Sequence, residues 1–348
     1  MSSSSLPPIS VVMPIRNEER YLATAVARVL AQDYPGDLEV VLSVGPSTDR
    51  TAQIAAGLAA GDPRVRVVDN PTGRTPSGLN LAIAAARHDI LVRVDGHGEL
   101  TPGYLVTAVE TLQRTGAANV GGLMDAQGET PFEQAVAVAY TSRLGLGGAS
   151  FHLLDSPEGP AETVFLGTFR RDALERVGGF DETMLRAQDW ELNHRLRAAG
   201  EQIWFTPRLR VRYRPRSSLR ALARQFFETG RWRREVIRRY PETASLRYLA
   251  PPAAVAGATA GALVGLAGLV LRSRWATAAL IAPLGYLSLI TAGAAVLPRA
   301  MPLSVRLRLP LVLAVMHLSW GAGFVAGLGP TTGRLSSFEA GHSTLGAK

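Results

Sequence analysis

Cysteine is absent from the 348-residue chain. Disulfide bonds and zinc sites built from thiolates are therefore excluded, although the lack of cysteine does not by itself identify the compartment. The N-terminal stretch MSSSSLPPIS also lacks the charged start and the apolar core of a secretory signal. We therefore expect the first part of the chain to remain in the cytosol.

Charged residues are missing from three long C-terminal runs, 250–271, 276–297 and 309–328. Each run has about 20 residues, enough for a helix to cross a hydrocarbon layer of roughly 30 Å. A buried helix of a soluble domain would explain one such run. Three in succession favour transmembrane helices and therefore a membrane protein.

Acidic residues are scarce just before the first of these runs. Between Arg208 and Arg247 there are 13 arginines and three glutamates. This density predicts a polyanionic partner, and the position beside an apolar run favours the anionic lipid membrane over nucleic acid. Basic flanks are retained on the cytoplasmic side, so three crossings would leave the C-terminus outside.

These patterns predict the domain organisation. We expect a folded domain over 1–216, a basic amphipathic connector along the membrane over 217–248, and three transmembrane helices within 249–330. A polar tail would follow over 331–348. The segment 145–162 is rich in Gly, Ser and Pro and predicts a mobile loop over the site.

The folded domain shows strand and helix patterns in alternation. β-branched apolar runs are followed by stretches with apolar residues at helical spacing. Alternation of this kind predicts an α/β fold with a mainly parallel sheet, and ligands then bind beyond the carboxyl ends of the strands. The predicted strand–helix pairs are 9–13 with 21–32, 38–44 with 51–60, 65–68 with 77–86, and 90–94 with 102–114.

Polar turns follow the first two predicted strands. Residues 14–19 read Pro-Ile-Arg-Asn-Glu-Glu, and residues 45–51 read Gly-Pro-Ser-Thr-Asp-Arg-Thr. Asn17 and Asp49 lie where a ligand would bind, but both residue types are also common helix caps. The turns alone do not decide between these roles.

Asp95 and His97 follow the fourth predicted strand. Two residues apart in an extended segment, their side chains project to the same side and could bind one divalent cation. Such a cation would neutralise the charge on a departing diphosphate. A turn with a capped Asp95 and a solvated His97 is the alternative.

Asp189 lies at the start of a later predicted helix, in the sequence Gln188-Asp189-Trp190-Glu191. A capping role is the simple interpretation of this position. The same position would also present a general base to a hydroxyl nucleophile.

Together and in this order, these segments resemble the family 2 glycosyltransferases of the GT-A fold, in particular the ExoA-type subgroup of bacterial exopolysaccharide synthesis. The resemblance implies Asp189 as catalytic base, a Mg²⁺ or Mn²⁺ cofactor at Asp95 and His97, and transfer with inversion. We accordingly expect donor binding at Pro14, Arg16, Asn17, Glu18, Asp49, Arg74, Asn80 and Asp95, and acceptor binding at Gln188, Trp190, Arg231 and Trp232.

The implied reaction moves a sugar from a nucleotide-diphosphate sugar to an acceptor linked to polyprenyl diphosphate. Transfer directly to polyprenyl phosphate, or a non-catalytic membrane subunit, are the alternatives. Two departures from the family pattern matter. Residues 43–46 lack the acidic residue that commonly reads the base, and Gln188 replaces the Glu of the Glu-Asp motif.

Overall fold

The computed structural model describes residues 6–297 and 300–329; the predicted tail 331–348 lies outside them. By their internal contacts the described residues divide into two compact units. The first comprises the chain up to Asp125 together with Gly148–Tyr213, and the second comprises Ala126–Gly147 and the chain from Arg214 onward. The grouping of residues 126–147 with the C-terminal part has no counterpart in the sequence patterns.

The first unit holds the strands and the helices that alternate with them. Its strands are β1 Ile9–Ile15, β2 Leu38–Val44, β3 Val65–Asp69, β4 Ile90–Arg93, β5 Glu99–Leu100, β6 Asn119–Ala126, β7 Gly159–Pro160, β8 Phe165–Arg170 and β9 Ile203–Tyr213. Its helices are α1 Leu22–Leu30, α2 Thr51–Gly61, α3 Thr75–Ala85, α4 Tyr104–Thr115, α6 Arg171–Arg176 and α7 Gln188–Ala198, with α5 assigned below.

The strands of the described residues form one sheet in the order β3-β2-β1-β4-β8-β6-β9-β5, and β7 pairs with β9. Strand β1 pairs in parallel with β2 and β4, and β2 pairs in parallel with β3. Strand β8 pairs antiparallel with β4 and β6, and β9 pairs antiparallel with β5 and β7. The predicted α/β fold is therefore confirmed, but the sheet is mixed rather than mainly parallel: only its first half, which carries the predicted strand–helix units, is parallel.

Strand β1 is buried on both faces because helices cover each side of the sheet. Val11 and Met13 pack into one apolar cluster with residues of α1 and α4, whereas Val12 packs into another with residues of α3. Successive side chains of a strand point to opposite faces, so one strand contributes to both clusters. Each fully buried side chain of this size contributes about 1.5–3 kcal/mol.

The predicted strand and helix limits in this half agree with the observed ones to within two residues. The ends of the parallel strands therefore lie where the sequence predicts them. Since β1, β2 and β4 are parallel neighbours, the loops that follow them lie at one edge of the sheet.

The predicted mobile loop 145–162 is partly attached to the sheet. Residues 159–160 form β7 and pair with β9. The Glu158 carboxylate accepts hydrogen bonds from Trp204 Nε1 at 3.1 Å and from Thr206 Oγ1 at 2.9 Å. The last residues of the predicted mobile loop are therefore anchored to β9 by residues 46 and 48 positions further along the chain.

The second unit is helical. It contains α5 Pro131–Tyr140, α8 Leu219–Arg239, α9 Leu246–Val270, α10 Arg274–Thr277, α11 Ile281–Val296, α12 Leu303–Arg306 and α13 Leu309–Ala326. Within residues 6–297 and 300–329, three segments are long and apolar enough to span a membrane: Tyr248–Val270, Arg274–Val296 and Leu303–Ala326. These overlap the three predicted spans.

The predicted connector is largely the helix α8, and it packs closely on α13. A Cβ added to Gly230 of α8 would lie 2.0 Å from the Trp320 carbonyl oxygen. A Cβ added to Gly323 of α13 would lie 1.9 Å from the Phe227 carbonyl oxygen. Only glycine at both positions allows the two backbones to approach this closely.

The C-terminal end of α13 is capped by arginines of α8. Arg231 Nε donates to the Gly327 carbonyl oxygen at 2.8 Å, and Arg234 Nη1 donates to the Val325 carbonyl oxygen. These carbonyls would otherwise lack partners at the helix end. In the same region Trp320 stacks on Tyr248 at a ring separation of 6.5 Å. The end of α13 and the beginning of α9 therefore lie together.

Candidate active site

The turn after β1 is held to the loop after β2 by Asn17. Its backbone is left-handed, with φ 55°. Asn17 Oδ1 accepts a hydrogen bond from the backbone amide of Thr48 at 2.9 Å. The backbone amide of Asn17 donates to Ser47 Oγ at 3.1 Å. Tyr21, rather than Asn17, occupies the cap position of α1. Asn17 therefore joins two loops of the sheet edge.

Asp49 takes part in the same connection. Its Oδ1 accepts from the Thr51 amide at 3.0 Å and its Oδ2 accepts from the Glu19 amide at 3.2 Å. Hydrogen bonds from Thr51 hold the pKa of Asp49 below its usual value. The carboxylate of Asp49 is thus engaged in loop structure at the position where we expected donor binding.

The loops after β2 and β3 touch through glycine. A Cβ on Gly45 would meet Gly73 Cα at 2.8 Å, and Gly73 has φ +61°. Arg16 Nη1 lies 3.5 Å from the Gly73 carbonyl oxygen. Arg74 follows as the residue before α3, and its amide donates to Thr72 Oγ1 at 3.1 Å. Arg16 and Arg74 are therefore held near this shared backbone surface.

Pro14 lies near α3. A Cβ on Gly78 would meet Pro14 Cβ at 3.4 Å and Asn70 Nδ2 at 2.7 Å. Glycine at position 78 therefore allows α3 to approach the end of β1. In this structure Pro14 helps to shape the loop that carries Arg16 and Asn17.

Asn80 of α3 binds the segment that precedes α7. Its Nδ2 donates to the Phe180 carbonyl oxygen at 2.9 Å and to Glu182 Oε1 at 3.1 Å. Its Oδ1 accepts from the Phe180 amide at 2.9 Å. The sequence led us to expect donor binding here, whereas both ends of the Asn80 amide hold residues 180–182 in place.

The loop after β4 brings His97 to Glu18. His97 Nδ1 lies 2.8 Å from Glu18 Oε1, which comes from the turn after β1. A Cβ on Gly96 would meet Glu18 Cγ at 2.8 Å, so the absence of a side chain at position 96 permits this contact. The His97 side chain is 48% exposed, whereas that of Glu18 is 17% exposed. The imidazole therefore faces solvent at the sheet edge.

The donor groups at this edge suit a cation that shares its coordination with a ligand. Among the described residues no group of three or more metal-binding side chains occurs. Asp95 and His97 supply one carboxylate and one imidazole. Mg²⁺ is commonly held by one or two carboxylates, with substrate phosphates and water as further ligands. The residues present would therefore fit a cation bound jointly with a diphosphate, and Asp95 and His97 are the side chains that could hold it.

A buried arginine joins Asp95 to Asp189. Arg93, the last residue of β4, is 4% exposed. Its Nε and Nη2 donate to Asp95 Oδ1 at 3.2 and 3.0 Å, and its Nη1 donates to Asp189 Oδ1. The sequence patterns did not predict this role of Arg93. The available signal was a charged residue in an otherwise apolar strand, two positions before Asp95 and thus on its face of the strand.

Asp189 is the second residue of α7 and is not its cap. Ala187 precedes the helix with a left-handed backbone, φ 58°, which strains a residue with a side chain. Desolvation raises the pKa of Asp189, Arg93 opposes this rise, and Asp95 adds to it. The Asp189 side chain remains 39% exposed. A substrate hydroxyl can therefore reach a carboxylate that is held from one side.

The four residues expected to bind the acceptor fall in different units. Gln188 and Trp190 flank Asp189, and Trp190 stacks on His194 at a ring separation of 5.4 Å. Arg231 and Trp232 belong to α8 of the second unit. There Arg231 caps α13 and Trp232 is buried.

Similarity to known proteins shows the family to which this α/β domain belongs. The model of the family "Glycosyl transferase family 2" matches residues 10–178. The succinoglycan biosynthesis protein ExoA of Rhizobium meliloti is 34% identical over 334 residues, which cover 93% of this chain and 96% of ExoA. The chain belongs to glycosyltransferase family 2.

Other similar proteins are more distant. A dolichyl N-acetyl-glucosaminyl phosphate glucuronosyltransferase of Methanococcus voltae is 27% identical, and the match covers 64% of this chain and 71% of that protein. A mannosyltransferase of Pyrobaculum calidifontis, solved with GDP-Man and Mn²⁺, superimposes with a TM-score of 0.55 at 21% identity. That match covers 92% of this chain and 87% of the other, and it supports the GT-A fold.

Replacing Asn80 with alanine should destabilise the first unit by about 1–3 kcal/mol, because the amide and carbonyl of Phe180 lose their partners. Thermal unfolding in detergent would measure this loss, with Gln53→Ala on the exposed face of α2 as the control. A variant of unchanged stability with a raised donor KM would instead show that Asn80 acts mainly on the donor.

Proposed function

We propose that the chain transfers a hexosyl group from a nucleotide-diphosphate sugar to a hydroxyl of a lipid-linked saccharide, with inversion at the anomeric carbon. The observation that carries the proposal is the linked pair of carboxylates, Asp95 and Asp189, at the carboxyl edge of the parallel strands. One lies where a cation and a diphosphate would bind. The other lies where an acceptor hydroxyl would approach.

Inversion follows from a single displacement. The acceptor oxygen forms a bond to the anomeric carbon while the bond from that carbon to the diphosphate oxygen breaks, and the electron pair leaves with the diphosphate. Asp189 accepts the proton of the attacking hydroxyl. A Mg²⁺ or Mn²⁺ ion at Asp95, with His97 beside it, would neutralise charge on the leaving diphosphate.

The donor side is proposed to be formed by the turn after β1 and the loops joined to it. Arg16 contacts the Gly73 carbonyl oxygen and Arg74 follows Gly73 in sequence, and we propose that a diphosphate binds at the shared backbone of Gly45 and Gly73. Asn17 and Asp49 connect these loops, whereas Pro14 lies beside α3 and Asn80 holds residues 180–182. We propose that these four residues shape the donor site mainly through such contacts. No acidic residue occupies positions 43–46, so specificity for uracil does not follow.

On the acceptor side we propose Gln188 and Trp190, which flank the base. Similarity to the succinoglycan biosynthesis protein ExoA supports a role in exopolysaccharide synthesis, and the apolar helices support an acceptor on polyprenyl diphosphate. Acceptor contacts by Arg231 and Trp232 would require these side chains to leave their present contacts.

Two alternative functions would give different assay results. Transfer directly to polyprenyl phosphate would give product without a saccharide on the lipid. A non-catalytic membrane subunit would bind nucleotide sugar without turnover. Both carboxylates of the proposed chemistry are present and linked, which favours an enzyme over a subunit.

We further propose that the protein resides in the plasma membrane with the residues ahead of α9 in the cytosol, where nucleotide sugars are made. The 13 arginines between Arg208 and Arg247 support this orientation. Three crossings would put the tail after Leu328 outside. The capping of α13 by arginines of α8, and its contact with the start of α9, instead support two crossings, which would leave the tail on the cytosolic side.

Asp189→Asn should lower the rate of transfer by roughly 10²–10⁴-fold while donor binding persists, since only the proton acceptor is lost. Membranes would be incubated with a panel of labelled nucleotide sugars and lipid-linked acceptors to find the substrates. Asp172→Asn, on the surface of α6, is the matched control. Retention of more than about a hundredth of the wild-type rate would remove Asp189 from the role of base.

Transfer should require Mg²⁺ or Mn²⁺, and Asp95→Ala should reduce it by about 100-fold or more, because a metal stabilises the transition state by several kcal/mol. His97→Ala should have a smaller effect, and His88→Ala, at the amino end of β4, should have none. Rates would be measured after dialysis against chelator and again after the metal is restored. Full activity in excess chelator contradicts the cation proposal.

The cysteine-free chain allows a direct test of topology with single cysteines at Ser217, Ser273 and Ser337. A membrane-impermeant maleimide should label Ser273→Cys in intact cells, and should label the other two only after permeabilisation. Labelling of Ser337→Cys from outside would show that the C-terminal region crosses a third time. Labelling of Ser217→Cys from outside would separate the transferase from its cytosolic donor.

A further inference from the structure

The buried guanidinium of Arg93 has no part in the proposed chemistry, yet it contacts both carboxylates that do. It donates to Asp95 on its own strand and to Asp189, 96 residues further along the chain. We propose that Arg93 is a positioning residue that fixes Asp189 relative to Asp95, and hence the base relative to the donor diphosphate. This inference rests on the proposed function.

The anchor of this arrangement is rigid. Strand β4 is paired on one side with β1 and on the other with β8, so the backbone leading to Arg93 is held from both sides. The guanidinium is planar and its donors keep fixed directions. Its position therefore sets where an oxygen of Asp189 can lie.

The base depends on such an anchor because its own helix begins irregularly. The left-handed Ala187 comes two residues before Asp189, and residues 180–182 are held by the side chain of Asn80. The hydrogen bond from Arg93 to Asp189 connects the start of α7 to the central sheet. Displacement of a reacting group by about 1 Å can reduce a rate by roughly 100-fold.

The geometry also leaves reactive oxygens available. Arg93 contacts Oδ1 of Asp95 and Oδ1 of Asp189. In the part of the chain that the structure describes, Oδ2 of each carboxylate makes no hydrogen bond to protein. One oxygen of each residue is thus held by Arg93, while the other can face a cation or an acceptor hydroxyl.

Lysine could not replace arginine in this position. An ammonium group is a point charge without the planar fork, so it would neutralise the carboxylates without fixing both of them. Two carboxylates with no cation between them would repel each other and separate. Charge and geometry can therefore be tested by separate substitutions.

Arg93→Met should lower kcat by about 100-fold, and Arg93→Lys should lower it by at least about 10-fold. Both variants should change the donor KM by less than about threefold. The matched control is Arg171→Met, which removes another largely buried arginine whose guanidinium donates to the carbonyls of Ile83, Ala86 and His88. That variant should lose thermal stability without a comparable loss of kcat. If Arg93→Met does not fold, Arg93→Lys carries the test.

The decisive measurement is the double variant Arg93→Lys with Asp189→Asn. A residue that acts through Asp189 adds no further loss to Asp189→Asn, because the group it positions has already been removed. Losses that multiply, or a kcat of Arg93→Lys equal to that of the control, would overturn the inference. An active Asp189→Asn single variant would instead overturn the proposed base, so the two failures are distinguishable.

Discussion

Parallel pairing of β1 with both β2 and β4 is the constraint on which the rest of the first unit depends. Parallel strands are connected by helices, and these helices cover both faces of the sheet. Strand β1 is therefore buried on both faces and consists mostly of apolar residues. The parallel pairing also gathers the loops that follow these strands at one edge. Asn17, Asp49 and Glu18 can hold neighbouring loops together only because the strands before them end side by side.

The charged side chains at this edge surround the buried guanidinium of Arg93. Although burial alone would lower the pKa of Arg93, the adjacent Asp189 and Asp95 raise it. A buried guanidinium with two ionised carboxylates carries a net negative charge, which would attract a divalent metal. The protein therefore combines a rigid strand, a fixed fork of donors and two acids that come from distant parts of the chain.

The fold was largely predictable because periodicity determines it locally. The alternating strands and helices up to Arg114 and the three apolar runs were found within a few residues, since burial on both faces or in lipid leaves a plain pattern. The same holds for Asp95 and Asp189, whose positions after a strand and at a helix start are visible in sequence.

The pairing of distant residues was not predictable. Sequence offers no sign that Asn80 meets Phe180, that Glu158 meets Trp204, or that Arg93 meets Asp189. Such contacts depend on how the antiparallel strands β8 and β9 return to the sheet. A polar residue at a strand's end can serve either a ligand or a neighbouring loop, and Asn80 illustrates how these two roles look alike before the fold is known.

The arginines of α8 have a consequence for how firmly lipid charge attracts this protein. Arg231 and Arg234 bind carbonyl oxygens of α13, and Arg238 and Arg239 pair with Glu235. A basic side chain near an anionic surface adds about 1 kcal/mol of attraction, but only while its charge is turned to the lipid. Counting all the arginines would therefore overstate the dependence on headgroup charge, and apolar helices rather than anionic lipids should determine how tightly the chain is retained in a bilayer.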